Sequence, residues 1–183
     1  QVQVSFRNRT QVTTARGGRW QLTLGSFAVG SSPDVFTVSG RNKIELKDVL
    51  VGEVWIASGQ SNMEWPLKRA AHAELAGLNL PPNVRHFNVR KARSSTPVAD
   101  VTGSWVAATR ESIPDFSAVA FYFSRDLAND LKVPVGIIHT SWGGSPAEVW
   151  MSAPVLAANP DYKRDIVDAF QTTKARNADA VAA

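Results

Sequence analysis

Val51-Gly-Glu-Val-Trp-Ile-Ala-Ser-Gly-Gln-Ser-Asn-Met-Glu-Trp65 constrains the fold of this chain more than any other stretch, because an apolar run passes directly into a polar glycine turn. Val54 to Ala57 predicts a short strand buried on both faces, the type found in parallel sheets flanked by helices. Gly59 permits a turn that a side chain would hinder, so Ser61 is expected at the carboxyl end of that strand, where open α/β sheets place their ligands. The nucleophile elbow of α/β-hydrolases needs Gly-x-Ser-x-Gly, and Met63 stands where its second glycine would be, so a serine nucleophile here requires another scaffold. Taken alone, Ser61 also reads as the cap of a following helix.

A second glycine turn sharpens the first. Val135-Gly-Ile-Ile-His139 has the pattern of a buried strand, and it ends in Thr140-Ser141-Trp142-Gly143-Gly144-Ser145-Pro146. Adjacent glycines at a strand's carboxyl end let backbone N–H groups turn outward, as stabilising a developing oxyanion requires; an ordinary tight turn has the same sequence. Between the two motifs, Ser117 opens a helix whose apolar residues Phe116, Val119, Ala120, Phe123, Leu127 and Leu131 fall at spacings of three and four and are expected to form its core face. Helix followed by strand is the rhythm of a parallel sheet.

The flanks differ in character. Residues 1 to about 48 read as antiparallel β structure. Val2, Val4 and Phe6 alternate with polar neighbours, as do Trp20, Leu22 and Leu24; Val35 to Val38 and Ile44 to Leu46 are further short runs. Gly17-Gly18, Gly30-Ser31-Ser32-Pro33 and Gly40-Arg41-Asn42 are expected turns. Lys68 to Gly77 is an alanine-rich helical stretch, and Val84 to Val89 alternates as a strand with His86 on its polar side, an expected surface or edge residue. Residues 91–104 read as a loop that Trp105-Val-Ala packs back onto the domain. A charged helix follows from 161 to about 178, with Ile166, Val167 and Phe170 on its apolar face.

Composition narrows the functional classes. Of the 183 residues 44% are hydrophobic, enough for a sizeable core. The 20 Lys and Arg against 16 acids, a formal +4, are scattered with no run of five or more, so no nucleic-acid partner is expected, and no apolar stretch of eighteen residues occurs, so no membrane span is expected. Zero cysteines exclude disulfides, thiolate metal sites and a cysteine nucleophile. His72, His86 and His139 stand apart from one another, so no metal site and no cofactor is expected.

Three ordered blocks, Gly52 to Leu67, Phe116 to Leu127 and Pro134 to Trp150, resemble the sialate O-acetylesterase family of SGNH hydrolases, and residues 20–50 are similar to the β-rich segment preceding the core in that family. The resemblance implies an incomplete α/β fold: a partial β-sandwich or jelly-roll-like domain over residues 1–49, then over 50–183 the amino-terminal part of a flavodoxin-like, three-layer hydrolase core with a parallel sheet. It implies a carbohydrate O-acetylesterase acting on sialic acid or on xylan and xyloglucan esters. Ser61 would be the catalytic nucleophile and, with Gly143 and Gly144, would furnish the oxyanion hole; Gln60, Trp65 and Trp142 are candidate substrate contacts.

The family's third donor block, of the Trp-x-Gln-Gly-Glu-x-Asn type, has no match here, nor has its late Asp-x-His or Asp-x-x-His motif carrying the base. Serine is a weak nucleophile until a base takes its proton. His139 lies inside an apolar strand and His72 in the alanine-rich stretch, so the base is expected outside this chain, on the remainder of the same enzyme. The chain alone is then expected to be inactive, its acetylated carbohydrate met by a secreted, periplasmic or lysosomal parent enzyme. A carbohydrate-binding protein with a degenerate hydrolase core is the rival reading; a lipase or thioesterase of the same fold is a third.

Overall fold

The computed structural model describes residues 1–70, 77–94 and 96–174. Most of the alanine-rich stretch, with His72, lies outside the described residues. Two sheets share the work. The first is wholly antiparallel, with β1 (Val2–Phe6), β2 (Arg9–Thr13), β3 (Gly30–Ser39) and β4 (Lys43–Val51) in the order β2-β1-β3-β4. Val4 and Phe6 are buried, and Phe6 meets Phe27 edge-on at 5.0 Å.

Two expectations for this sheet fail for physical reasons. Trp20 to Leu24 alternates but joins no ladder; side chains hold the segment instead, Arg9 donating to the Leu24 carbonyl at 2.7 Å and Arg7 to the Ala28 carbonyl at 2.6 Å. Gly30 to Pro33, expected as a turn, lies within β3, whose register against β4 shifts between Gly30 and Asp34. Such an irregularity absorbs a proline that cannot donate to the ladder. A single four-stranded sheet is what the described residues form here, and a second sheet packed on it as a sandwich is not among them.

Gly52 joins the sheets. A Cβ there would lie 2.1 Å from the Pro134 carbonyl oxygen, so only a glycine lets β4 run into the second sheet. That sheet holds β5 (Glu53–Gly59), β6 (Val84–Asn88), β7 (Trp105–Ala107) and β8 (Val135–Ser141) in the order β5-β8-β6-β7. The first three of that order are parallel and β7 is antiparallel to β6, so the sheet is mixed. Trp105 to Ala107 thus returns the loop as an edge strand.

Helix α2 (Ala118–Leu131) covers one face of this sheet, packing against β8 and β6. Ser117 caps it, accepting the Ala120 N–H at 3.2 Å, and Lys132 ends it in the left-handed conformation. Its buried face is Ala120, Ser124 and Ala128 with Phe121, whereas Val119, Phe123 and Leu131, expected in the core, are exposed. Small side chains four apart let the helix lie close on the sheet, and that proximity outweighs the larger hydrophobes. Likewise β5 is parallel as expected but not buried on both faces: Val54 is 59% and Ile56 71% exposed, because β5 is an edge strand. His86 is also corrected. It is fully buried, stacked on Phe116, since β6 runs beneath α2. Beyond β8 come α3 (Ala153–Ala157) and a helical stretch from Pro160 to residue 174, of π type over Lys163–Asp168. The end of the expected last helix, 175–178, lies outside the described residues, and Phe170 is exposed.

Candidate active site

The parallel register of β5 and β8 sets Gly59 opposite Ser141, so the two glycine turns leave the sheet at the same end. Gly59 has φ +147°, a conformation that side chains avoid, and its carbonyl accepts the Trp142 N–H at 3.0 Å. The chain then enters the single helical turn α1 (Ser61–Glu64). Ser61 is exposed, and its hydroxyl donates to Gln60 Oε1 at 2.9 Å. The structure therefore brings the serine and the Gly143-Gly144 turn together: a Cβ on Gly143 would lie 3.6 Å from Ser61 Cα.

Glu64, unremarked in the sequence, stands between them. One carboxylate oxygen accepts the Gly143 N–H and the other accepts from Lys91. The hydrogen bond from Lys91 chiefly, then that from Gly143, holds its carboxyl below the ordinary range. The N–H of Gly143 is thus engaged by a carboxylate, while that of Gly144 donates to no acceptor among the described residues. Glu64 carried no sequence signal beyond its place three residues after Ser61.

His139, half-buried in β8, contacts the Met63 carbonyl through Nε2 at 3.1 Å, Ser141 Oγ through the same nitrogen at 2.8 Å, and Asn88 Oδ1 through Nδ1 at 3.1 Å. Burial chiefly lowers its pKa, against the hydrogen bond with the Met63 carbonyl, which raises it, and that contact ties α1 to the strand. None of these contacts reaches the Ser61 hydroxyl. The tryptophans are partly occupied: Arg69 lies 4.1 Å over the Trp65 ring, whose Nε1 donates to the Arg69 carbonyl at 2.8 Å. Lys91 and Arg93 lie 5.4 and 5.5 Å over Trp142. Beside this turn opens a cleft of about 1080 Å³ lined by Arg90, Arg93, Thr140, Trp142, Gly144 and Trp150.

The sequence matches a sialate O-acetylesterase of Rattus norvegicus at 33% identity, over 81% of this chain and 30% of that protein. The human protein of the same name is 30% identical over 86% of this chain and 33% of its own length. The chain is homologous to part of the sialate O-acetylesterases. It spans about a third of the length of these relatives. A crystal structure of a carbohydrate acetylesterase from Xanthomonas citri superposes with a TM-score of 0.81 at 39% identity, covering 86% of this chain and 37% of that one. No protein-family model matches the sequence. The relatives are acetylesterases, hydrolases of carbohydrate esters by name, and the mixed sheet agrees with an acetylesterase fold of this kind.

Proposed function

We propose that this chain carries the nucleophile half of a carbohydrate O-acetylesterase. Ser61 Oγ attacks the acetyl carbonyl carbon while an imidazole from the remainder of the same enzyme takes the hydroxyl proton. The tetrahedral oxyanion is held by backbone N–H groups. In the arrangement described, the Ser61 and Gly144 N–H groups are open to it, whereas that of Gly143, which the family resemblance also implies as a donor, is committed to Glu64. Collapse expels the sugar hydroxyl with the proton from the imidazole, leaving acetyl-Ser61, and water then releases acetate by the same route. Without that imidazole, the 183-residue chain alone does not turn over.

The observation that supports this reading most is the contact between the two turns, created by the parallel pairing of β5 with β8. Arg90 and Arg93 against Asp100 in the cleft lining, with Lys91 paired to Glu64, favour an acidic sugar such as sialic acid over a neutral plant polysaccharide. A parent enzyme for such glycans belongs outside the cytosol or in a lysosome.

The test is hydrolysis of p-nitrophenyl acetate and of an O-acetylated sugar by the full parent polypeptide and its Ser61→Ala variant. The account expects Ser61→Ala to lower kcat by roughly three orders of magnitude or more. Undiminished turnover in the variant would remove Ser61 from the mechanism, and a wild type inert toward every acetyl ester would favour the carbohydrate-binding reading.

A further inference from the structure

Glu64 is the last residue of α1, three positions beyond Ser61, and both of its carboxylate oxygens are used. Oε2 accepts the N–H of Gly143, from the turn after β8, and Oε1 accepts from Lys91, in the segment after β6. One side chain therefore fastens together the segments that follow three neighbouring strands. Two other ties in the region come from the strand ends: Trp142 N–H to the Gly59 carbonyl at 3.0 Å, and His139 to the Met63 carbonyl at 3.1 Å. The peptide linking Trp142 to Gly143 is held from its two sides, its N–H by Glu64 and its carbonyl by Ser145, which donates through Oγ at 2.6 Å and through its backbone at 3.2 Å.

We propose that Glu64 is a positioning residue of this site, its carboxylate clamping the Gly143 turn against the turn that carries Ser61; the inference rests on the acetylesterase reading above. A hydrogen bond to an ionised carboxylate is roughly twice as strong as a neutral one. Here it adds a side-chain link between the two turns, beside the backbone bond from Trp142 N–H to the Gly59 carbonyl. The ion pair with Lys91 aims the carboxylate and balances a negative charge that would otherwise oppose the oxyanion forming nearby. With the Trp142–Gly143 peptide fixed, only the two Gly143 dihedrals are left to set the direction of the following N–H, that of Gly144, relative to Ser61. A neighbouring Cβ has little room: one built on Gly143 would lie 2.8 Å from Glu64 Oε2.

Misplacing a catalytic group by about 1 Å costs on the order of a hundredfold in rate. In the full parent polypeptide, Glu64→Ala is therefore expected to lower kcat on p-nitrophenyl acetate by roughly ten- to a hundredfold, with KM changed by no more than about twofold. Glu64→Gln keeps an oxygen acceptor for the Gly143 N–H and is expected to recover most of that loss. A residue needed merely for folding would also lower apparent kcat at constant KM, so kcat is expressed per folded molecule from circular dichroism: the clamp predicts that the loss in Glu64→Ala and its recovery in Glu64→Gln persist after that correction, and a folding role predicts that both vanish. Lys91→Met, at an exposed position, leaves the carboxylate in place but unaimed and is expected to cost a few-fold in kcat, which keeps the idea testable if Glu64→Ala misfolds.

Wild-type kcat in Glu64→Ala or in Lys91→Met would overturn the clamp, and so would a raised kcat/KM in Glu64→Ala, which would make the carboxylate an occupant of a donor that substrate needs. Ser61→Ala assayed alongside separates the two failures. If turnover depends on Ser61 but not on Glu64, the clamp alone is wrong; if no turnover depends on Ser61, the acetylesterase reading falls and takes the clamp with it.

Discussion

His86 on β6 has no exposed surface; its ring lies 4.1 Å from that of Phe116 and within 11° of parallel. Ser124 Oγ donates its hydrogen to the Phe121 carbonyl at 2.9 Å, so His86 Nε2, 3.4 Å away, faces its lone pairs and carries the ring proton. Nδ1 is then a bare acceptor with no partner among the described residues. Burial first, and the charge of His139 second, push the pKa of His86 down to about 3 from an ordinary 6.5. The folded state therefore refuses a proton that the unfolded chain accepts. The stability contributed by the neutral ring is complete above pH 6.5 and is lost as the pH falls from there toward 3, at roughly 1.4 kcal/mol per pH unit. Urea unfolding between pH 7 and 4 is expected to show that acid loss in the wild type and a much flatter profile in His86→Phe, which keeps the stack; equal slopes would assign the acid limb to other groups. The alternation along Val84 to Val89 hid this burial, because it marks which residues share a face and not whether α2 covers that face.

Elements were legible in proportion to how local their causes are. Ser117 with its capped helix, and the apolar runs of β5 and β8 leading into glycine turns, follow from chemistry within a few residues. The face α2 buries does not: Ala120, Ser124 and Ala128 matter because of the distance to β8, which spacing alone cannot report. Trp20 to Leu24 shows the reverse error, a strand-like pattern whose partners are arginine side chains rather than a ladder. The link between the sheets had no pattern at all, yet Gly52 is the tightest glycine in the chain, with 2.1 Å available between a new Cβ and the Pro134 oxygen. Backbone on backbone cannot yield as a side chain can. Gly52→Ala is expected to destabilise by about 3 kcal/mol in urea unfolding, against near neutrality for Gly77→Ala, where none of the described residues lies within 4 Å. Equal stability of the two variants would mean that the β4–β5 junction is loose.

At the scale of the molecule, the candidate site was half legible. Ser61, Gly143 and Gly144 were readable as two strand-end turns, and the sheet brings those turns into contact. Glu64 was not, because its role depends on where Lys91 and Gly143 arrive from segments 27 and 79 residues away. The edge strand β5 and the flank of α2 beside it, where Phe123 meets Trp55 edge-on at 5.3 Å, leave Val54, Ile56, Val119 and Phe123 exposed, apolar surface assigned here, like the base, to the remainder of a longer enzyme. These assignments converge on one claim, that Ser61 becomes a true nucleophile in the parent polypeptide. Reaction of that polypeptide with a fluorophosphonate, followed by mass spectrometry of its peptides, tests the claim most directly. The account predicts a single phosphonyl adduct on Ser61 and loss of esterase activity in proportion to labelling; inhibition accompanied by an adduct on a different serine, with Ser61 unmodified, would contradict it.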